Sequence, residues 1–376
     1  MFTFSFETYA DAVERGMMRP PDQILSTLMR SDRVSGLLVA NPFRWAPSSF
    51  ARTVLGGGPS LPAAPRRALH TPVRLRRVDP VDVAGIRSEY QKYSSSLRTA
   101  ADRLSLVDPV VITTNPLVAG FSPLEWSSGS MFFGRDDWLS SPARQEYWPA
   151  FEAAYRFIAK SGMAVTAVSQ QILDRIAPTG PSAVIPNGVE PKEWLTDMPA
   201  QPAWMASIPH PRAIYVGTLD SRLDVEGILD LATRQKDVHV VLMGPQPDPA
   251  YLNSLRHLPN VHIQPSAGRT ELVAALRNSD LALLSHRRTP LTEAMSPLKI
   301  YEYLAAGLPV ISIDLPPVLG IDPRVVVVDS VSDFADVAQS TLATATASES
   351  DRQAFVENNS WASRHETILD LALGAR

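Results

Sequence analysis

The chain has 376 residues, of which 45% are hydrophobic and 20% charged, and its formal net charge is −4. That balance predicts a globular protein of about two domains and leaves no overall basic footprint for nucleic acid. It contains no cysteine, which excludes disulfides, thiolate metal sites and cysteine nucleophiles, and its seven histidines include no pair at metal-ligand spacing.

The first residues, MFTFSFETYADAVERG, carry Glu7 and Asp11 early and lack a basic start followed by an apolar stretch, so no secretory signal is expected. No apolar run reaches membrane-spanning length, which leads to the expectation of a cytoplasmic protein. Short apolar runs at Phe2–Phe6, Gly36–Ala40, Val73–Val78, Val110–Thr113, Met131–Gly134 and Ala164–Val168 read as strands. Helical patterns at Pro21–Arg30, Val81–Leu104, Arg144–Lys160 and Gln170–Ile176 fall between them. This βαβ rhythm predicts a parallel sheet covered on both faces. Residues 55–67, LGGGPSLPAAPRR, read as a loop. The basic run Arg66, Arg67, Arg74, Arg76 and Arg77 fits a solvated strand face, or contact with a lipid-carrier phosphate or an anionic membrane surface.

The segment FFGRDDWLSS (132–141) follows a strand and so puts Asp136 and Asp137 at a strand's carboxyl end. A carboxylate there can take a proton from an attacking hydroxyl, or can simply cap the helix that follows. The two are adjacent and no third ligand is evident, so no metal is expected. Between Pro186 and Arg212 the periodicity fades, and residues 191–211 read as an interdomain linker. Beyond it, 213–217, 238–244, 261–265, 281–285, 309–313 and 325–328 are continuous apolar runs, the pattern of buried parallel strands. Two such sheets facing each other would place a ligand cleft at their carboxyl ends.

The most informative segment is HRRTPLTEAMSPLKIYEYLAAGLPVI, from His286. Ser296 reads as an N-cap with Pro297 at the first helical position, and Gly307 as a left-handed terminator. A helix over about 297–306 follows, with Leu298, Tyr301, Leu304 and Ala305 as its buried stripe. Free amides at a helix start attract anions. Lys299 in the first turn opposes the dipole unless an anion binds beside it, and Glu302 lies three residues on. The plain alternative is a surface Lys299–Glu302 ion pair.

SPLKIYEYLAAGLPVIS closely resembles the donor-binding helix of group 1-like glycosyltransferases of the GT-B fold, in particular bacterial cell-surface polysaccharide transferases of the teichuronic-acid and xanthan glucuronosyltransferase types. IPNGVE (185–190) resembles that family's interdomain signature, and IYVGTLDSRLD (214–224) the strand and loop that open its donor domain. The resemblance implies an α/β protein of two Rossmann-like, doubly wound domains facing a central cleft. It implies an acceptor-binding domain over 1–190, the linker over 191–211, a nucleotide-sugar domain over 212–355, and a closing helix over 356–376 that packs on the first domain. It implies that Ser296, Leu298 and Lys299 hold a diphosphate, that Glu302 binds the ribose, and that Gly217, Thr218 and Leu219 lie by the nucleotide. Arg222 would reach the phosphates and His286 would sit near the base, each with a plain reading as a surface or satisfied polar residue.

In the inverting relatives an aspartate at the place of Asp137 is the base, with Asp136 as its partner or a cap. Retaining relatives carry a second glutamate ahead of the position of Glu302, with seven residues between the two; here that residue is Ala294, which favours inversion. The expected partners are a nucleotide-sugar donor, with uridine as the favoured base, and a glycan or lipid-linked acceptor. Peripheral membrane association is an option, and no cofactor or metal is expected. The competing readings are a non-hydrolysing sugar-nucleotide 2-epimerase and a non-catalytic sugar-nucleotide-binding partner.

Overall fold

The computed structural model describes residues 1–45, 59–344 and 346–374, and the chain divides into two units, Met1–Pro186 with Arg364–Arg376, and Asn187–Ser363. Positions 55–58 of the expected loop at 55–67 lie outside the described residues. No helix of the described residues is long and apolar enough to cross a membrane.

The first unit is built on a seven-stranded parallel sheet. Its strands are β1 (Phe2–Thr3), β2 (Leu37–Ala40), β4 (Arg67–His70), β6 (Val110–Thr113), β7 (Gly129–Gly134), β8 (Ala164–Ala167) and β9 (Ser182–Val184). Their order is β4-β2-β1-β6-β7-β8-β9. The central strands are apolar on both faces because helices Pro20–Arg30, Val83–Arg103, Pro116–Phe121 and Trp148–Lys160 leave no face to water. The expected strand Val73–Val78 shrinks to β5 (Val73–Arg74), which pairs with β3 (Arg44–Trp45) in a separate small sheet. Residues 67–70, half-buried throughout, take the sheet edge instead. An edge strand buries too little to show a clear apolar pattern, which is why RALH was not legible as one.

The second unit is a six-stranded parallel sheet of β10 (Arg212–Val216), β11 (His239–Met243), β12 (Val261–Gln264), β13 (Leu281–Leu284), β14 (Val310–Ile313) and β15 (Val325–Val328). The order is β12-β11-β10-β13-β14-β15. Taken in chain order this is 3-2-1-4-5-6, the doubly wound dinucleotide-binding arrangement, with its switch point between β10 and β13. Every strand read from the sequence here is present. The stretch 191–211 is not a free linker: Trp194, Met205 and Ile208 are buried in this unit's core. Arg212 anchors the same stretch by donating to the Met205 and Ile208 carbonyls at 2.6 to 2.9 Å. The lack of periodicity marked irregular backbone, while its apolar side chains still needed a core to enter.

The Trp361–Leu373 helix ends the described chain, and from Arg364 it belongs to the first unit. There His365 Nδ1 lies 2.6 Å from Thr27 Oγ1, and Arg33 donates to Asp370 at 2.7 Å. Burial, and secondarily Arg30, lowers the His365 pKa to about 3, so this ring is neutral near pH 7.

Candidate functional site

The carboxyl ends of β10 and β13 carry the site in the second unit. The helix read from the sequence spans Leu298–Ala305, one residue shorter at each end than expected. Pro297 is the N-cap, and Ser296 precedes it without capping. The Ser296 hydroxyl instead accepts from the Asn187 amide at 3.3 Å, and its carbonyl accepts from Asn187 Nδ2 at 2.6 Å. With proline as N-cap, no side chain satisfies the first amides of the helix. Gly307 adopts φ +91 and terminates the helix as expected. The buried face is wider than the predicted stripe, taking in Ile300, Tyr303 and Glu302 as well, whereas Leu298 is only half-buried. The helix is packed from several sides, which a single-stripe reading underestimates.

Lys299 points back to the strand ends. Its ammonium donates to Tyr215 Oη at 2.8 Å and lies 2.9 Å from His286 Nε2. Burial, then the nearby Arg222 charge, lowers the Lys299 pKa from 10.5 to about 7. His286 is 2% exposed, and burial together with Lys299 and Arg222 holds its pKa well below 6.5. The ring is therefore neutral. With Nε2 accepting from Lys299, the network assigns the proton to Nδ1, and Nδ1 is buried with no hydrogen-bond partner. A buried donor left unpaired costs about 1–3 kcal/mol.

The floor is glycine. Gly217 has φ +147, and a Cβ there would meet Lys299 Nζ at 2.7 Å. Gly244 has φ +154, and a Cβ there would come within 2.0 Å of the Gly217 carbonyl oxygen. The main chain of the two strand ends thus closes up beneath the lysine.

Arg222 is brought to the same place by an antiparallel bridge between Leu223 and His286 and by the Arg287 amide donating to the Arg222 carbonyl at 2.7 Å. Its guanidinium grips Asp220 through two bonds of 3.0 and 2.8 Å.

The structure therefore gathers Gly217, Arg222, His286 and Lys299. Thr218 is half-buried beside them. Leu219 does not join: its side chain is fully buried in the core, and its amide already donates to the Pro245 carbonyl at 2.9 Å. Glu302 pairs with Arg269, not with Lys299, which corrects the plain ion-pair reading. Arg269 also holds Glu193 at 2.7 Å and lies 5.4 Å from the centre of the Trp194 ring. Tyr215, Asn187 and Arg269 are contacts that sequence reasoning missed, since no local spacing links them to the 298–305 helix. Removing Arg269 leaves two carboxylates without their counter-ion. Arg269→Met is expected to lower stability by about 3 kcal/mol, and Glu302→Gln by less, as read by urea denaturation.

Asp136 and Asp137 lie in the first unit, after β7. Asp137 is 2% exposed; its Oδ1 accepts from the Leu139 amide at 3.2 Å and its Oδ2 lies 3.3 Å from Arg175 Nε. Asp136 is more open, its side chain 38% exposed, with Arg135 Nε at 2.9 Å. Among the described residues no cluster of three or more His, Asp or Glu could hold a metal ion.

Residues 210–344 match the family model described as Glycosyl transferases group 1, and every gathered residue falls inside that span. Over 105 residues the chain is 30% identical to a Bacillus subtilis (strain 168) protein that carries the name teichuronic acid biosynthesis glycosyltransferase TuaH. That stretch is 27% of this chain and 26% of the relative, so the match spans about a quarter of the curated relative's length. Among solved structures, the UDP-forming α,α-trehalose-phosphate synthase of Burkholderia xenovorans superposes with a TM-score of 0.67 at 14% identity, covering 99% of this chain and 98% of that one. Sucrose-phosphate synthase of Thermosynechococcus elongatus gives a TM-score of 0.67 at 12% identity, over 99% and 98% of the two chains. At these identities the likeness is one of fold, and that fold is GT-B.

Proposed function

We propose that the chain is a glycosyltransferase whose second unit binds a nucleotide-sugar and whose first unit binds the hydroxyl acceptor. One observation carries the reading: a half-buried lysine, depressed to about 7 by burial and by Arg222, stands at the sheet's switch point beside an unpaired, buried His286 Nδ1. A diphosphate supplies the negative charge that favours the Lys299 ammonium beside Arg222. The group 1 match over 210–344 supports transfer as the chemistry, and the UDP-forming relative of the same fold favours uridine as the base.

In this reading Lys299, Arg222 and the first amides of the 298–305 helix take the charge that grows on the leaving diphosphate, without a metal. Glu302 keeps one oxygen on Arg269, and the other is the candidate for a ribose hydroxyl. The acceptor oxygen attacks the anomeric carbon opposite the diphosphate, its proton passes to a carboxylate, and the carbon–oxygen bond to the phosphate breaks, with inversion. The carboxylate is one of the Asp136–Asp137 pair. Asp137, expected as the base, is enclosed and anchors its own loop, while Asp136 is the more open to a hydroxyl. Whichever Asn substitution, at 136 or at 137, abolishes turnover while leaving the melting temperature unchanged identifies the base.

The reading is tested by melting the protein with UDP, GDP and their sugars. At a hundredfold excess over Kd, a bound nucleotide adds about 2.7 kcal/mol, roughly 5–10 °C for a unit of this size. UDP should give that shift and GDP a smaller one. No shift with any nucleoside diphosphate would overturn the proposal.

A further inference from the structure

The first unit holds a cavity of about 420 Å³ with an unusual lining: four arginines, Arg44, Arg74, Arg77 and Arg144, against a single carboxylate, Glu146. Ser5 and Phe6 after β1, and Pro42 and Phe43 after β2, form part of its wall, so it opens at the carboxyl ends of the central strands. That is the position at which open α/β sheets take ligands. Three separate pieces of chain bring them together, because Arg44 and Arg74 come from the paired β3 and β5, Arg77 directly follows β5, and Arg144 lies beyond β7.

The four guanidiniums are not equally committed. Arg44 donates to the Phe6 carbonyl at 2.7 Å and lies 3.5 Å from Asp11. Arg74, Arg77 and Arg144 have no carboxylate within ion-pair distance among the described residues. The Arg74 Nε is buried without a hydrogen-bond partner, and Arg144 lies 4.6 Å from the centre of the Phe6 ring. Tyr90, which also lines the cavity, stays a neutral phenol, since burial above all pushes its pKa up to about 12. Like charges held together in one concavity repel unless an anion enters. A carboxylate offers two oxygens and engages one guanidinium fork well, whereas a phosphate offers three terminal oxygens and up to two charges to several. Tyr90 and Tyr147 line the same cavity, and aromatic surface beside the arginines suits packing against a sugar ring.

We infer that this cavity receives a phosphorylated sugar, with the phosphate on the arginines, and that this sugar is the acceptor. The word acceptor rests on the transferase reading above; the binding itself does not. An anionic membrane surface also offers phosphate, and the vesicle arm of the test separates that source from a soluble sugar phosphate.

The test is calorimetric titration of the full chain, without nucleotide, using a hexose, the matching hexose phosphate and inorganic phosphate, with flotation on vesicles of neutral and of anionic phospholipid alongside. The hexose phosphate should bind, the free hexose should not, and inorganic phosphate should compete. The doubly substituted Arg74→Gln, Arg77→Gln protein should lose roughly tenfold to a hundredfold in affinity for the hexose phosphate, while Arg74→Lys, keeping the charge, should lose less. Its affinity for UDP should not change, which shows that the second unit is intact. If the double variant melts early, Arg77→Gln alone, at an exposed position, carries the comparison. Equal binding of hexose and hexose phosphate, or wild-type affinity in the Arg77→Gln and double variants, overturns the inference. Flotation on anionic vesicles without hexose phosphate binding also overturns it, in favour of a membrane surface. Hexose phosphate binding with no UDP binding leaves the cavity assignment standing and removes the transferase reading.

Discussion

Replacing Lys299 by alanine is expected to lower the rate of transfer by roughly 10²–10³-fold, the cost of losing one donor aimed at developing charge, and to weaken UDP binding with it. Among the described residues the Lys299 ammonium has hydrogen-bond partners only in Tyr215 and His286, and the substitution also removes a desolvated charge, so stability should not fall with activity. A melting temperature equal to or above wild type, together with lost UDP affinity, is the expected pair of results. Unchanged affinity would detach the donor from this helix.

The same residue sets a pH dependence. In the free protein Lys299 titrates near 7, below its ordinary value of 10.5, because burial and Arg222 disfavour the ammonium. A bound diphosphate reverses that preference, so binding takes up a proton wherever the free lysine has lost it. Below about pH 7 the lysine is already charged and affinity is flat. Above it, affinity should fall by roughly tenfold per unit until the pKa of the bound state is reached. For folding the sign runs the other way from an ordinary lysine gaining a partner. Between about 7 and 10.5 the unfolded chain holds more protons at this position, so its contribution to stability improves as pH rises through that window. Titrating a UDP-sugar, whose phosphates do not ionise near neutrality, in buffers of different ionisation enthalpy measures the proton uptake directly. Proton-independent binding across pH 6 to 9 would contradict the charge assignment.

The second large effect is at Gly244. An added methyl would lie 2.0 Å from the Gly217 carbonyl oxygen, which is main chain and cannot swing aside, and the position holds φ +154. Strain and overpacking together should cost Gly244→Ala about 3 kcal/mol or more, or roughly 6–12 °C for a unit of this size. Gly217→Ala makes an instructive contrast. Its methyl meets the end of the Lys299 side chain, which can move, so relative to Gly244→Ala it should lose more nucleotide affinity for each degree of melting temperature. Thermal melting with and without UDP separates the two. A Gly244→Ala protein that melts with the wild type would show that the two strand ends do not sit this close.

Much of this was legible in the chain itself, for a physical reason. A strand buried on both faces must be apolar throughout, so the runs at 213–217, 238–244, 281–285 and 309–313 announced a parallel sheet without reference to any neighbour. Gly307 after a run of helix formers marked the end of the 298–305 helix, because a left-handed terminator is a local matter of backbone sterics. The helix start was misjudged by one residue, since serine and proline compete for the cap and only the Asn187 contact decides which takes it.

Partnership was not legible. Lys299 meets Tyr215 across 84 positions, and Glu302 meets Arg269 across 33, because strand order, not spacing, brings those ends together. Asp137 read as a base or a cap from its place after a strand, and only the packed fold shows it enclosed between Leu139 and Arg175. Arg74 and Arg77 read as part of a basic run, on a solvated strand face or against a phosphate, and nothing in the spacing joined them to Arg44 and Arg144, which the first sheet collects at the same rim. Local sterics and burial patterns are written along the chain and can be read from it. The pairing of charges depends on which distant elements become neighbours, and that is settled only when the sheets close.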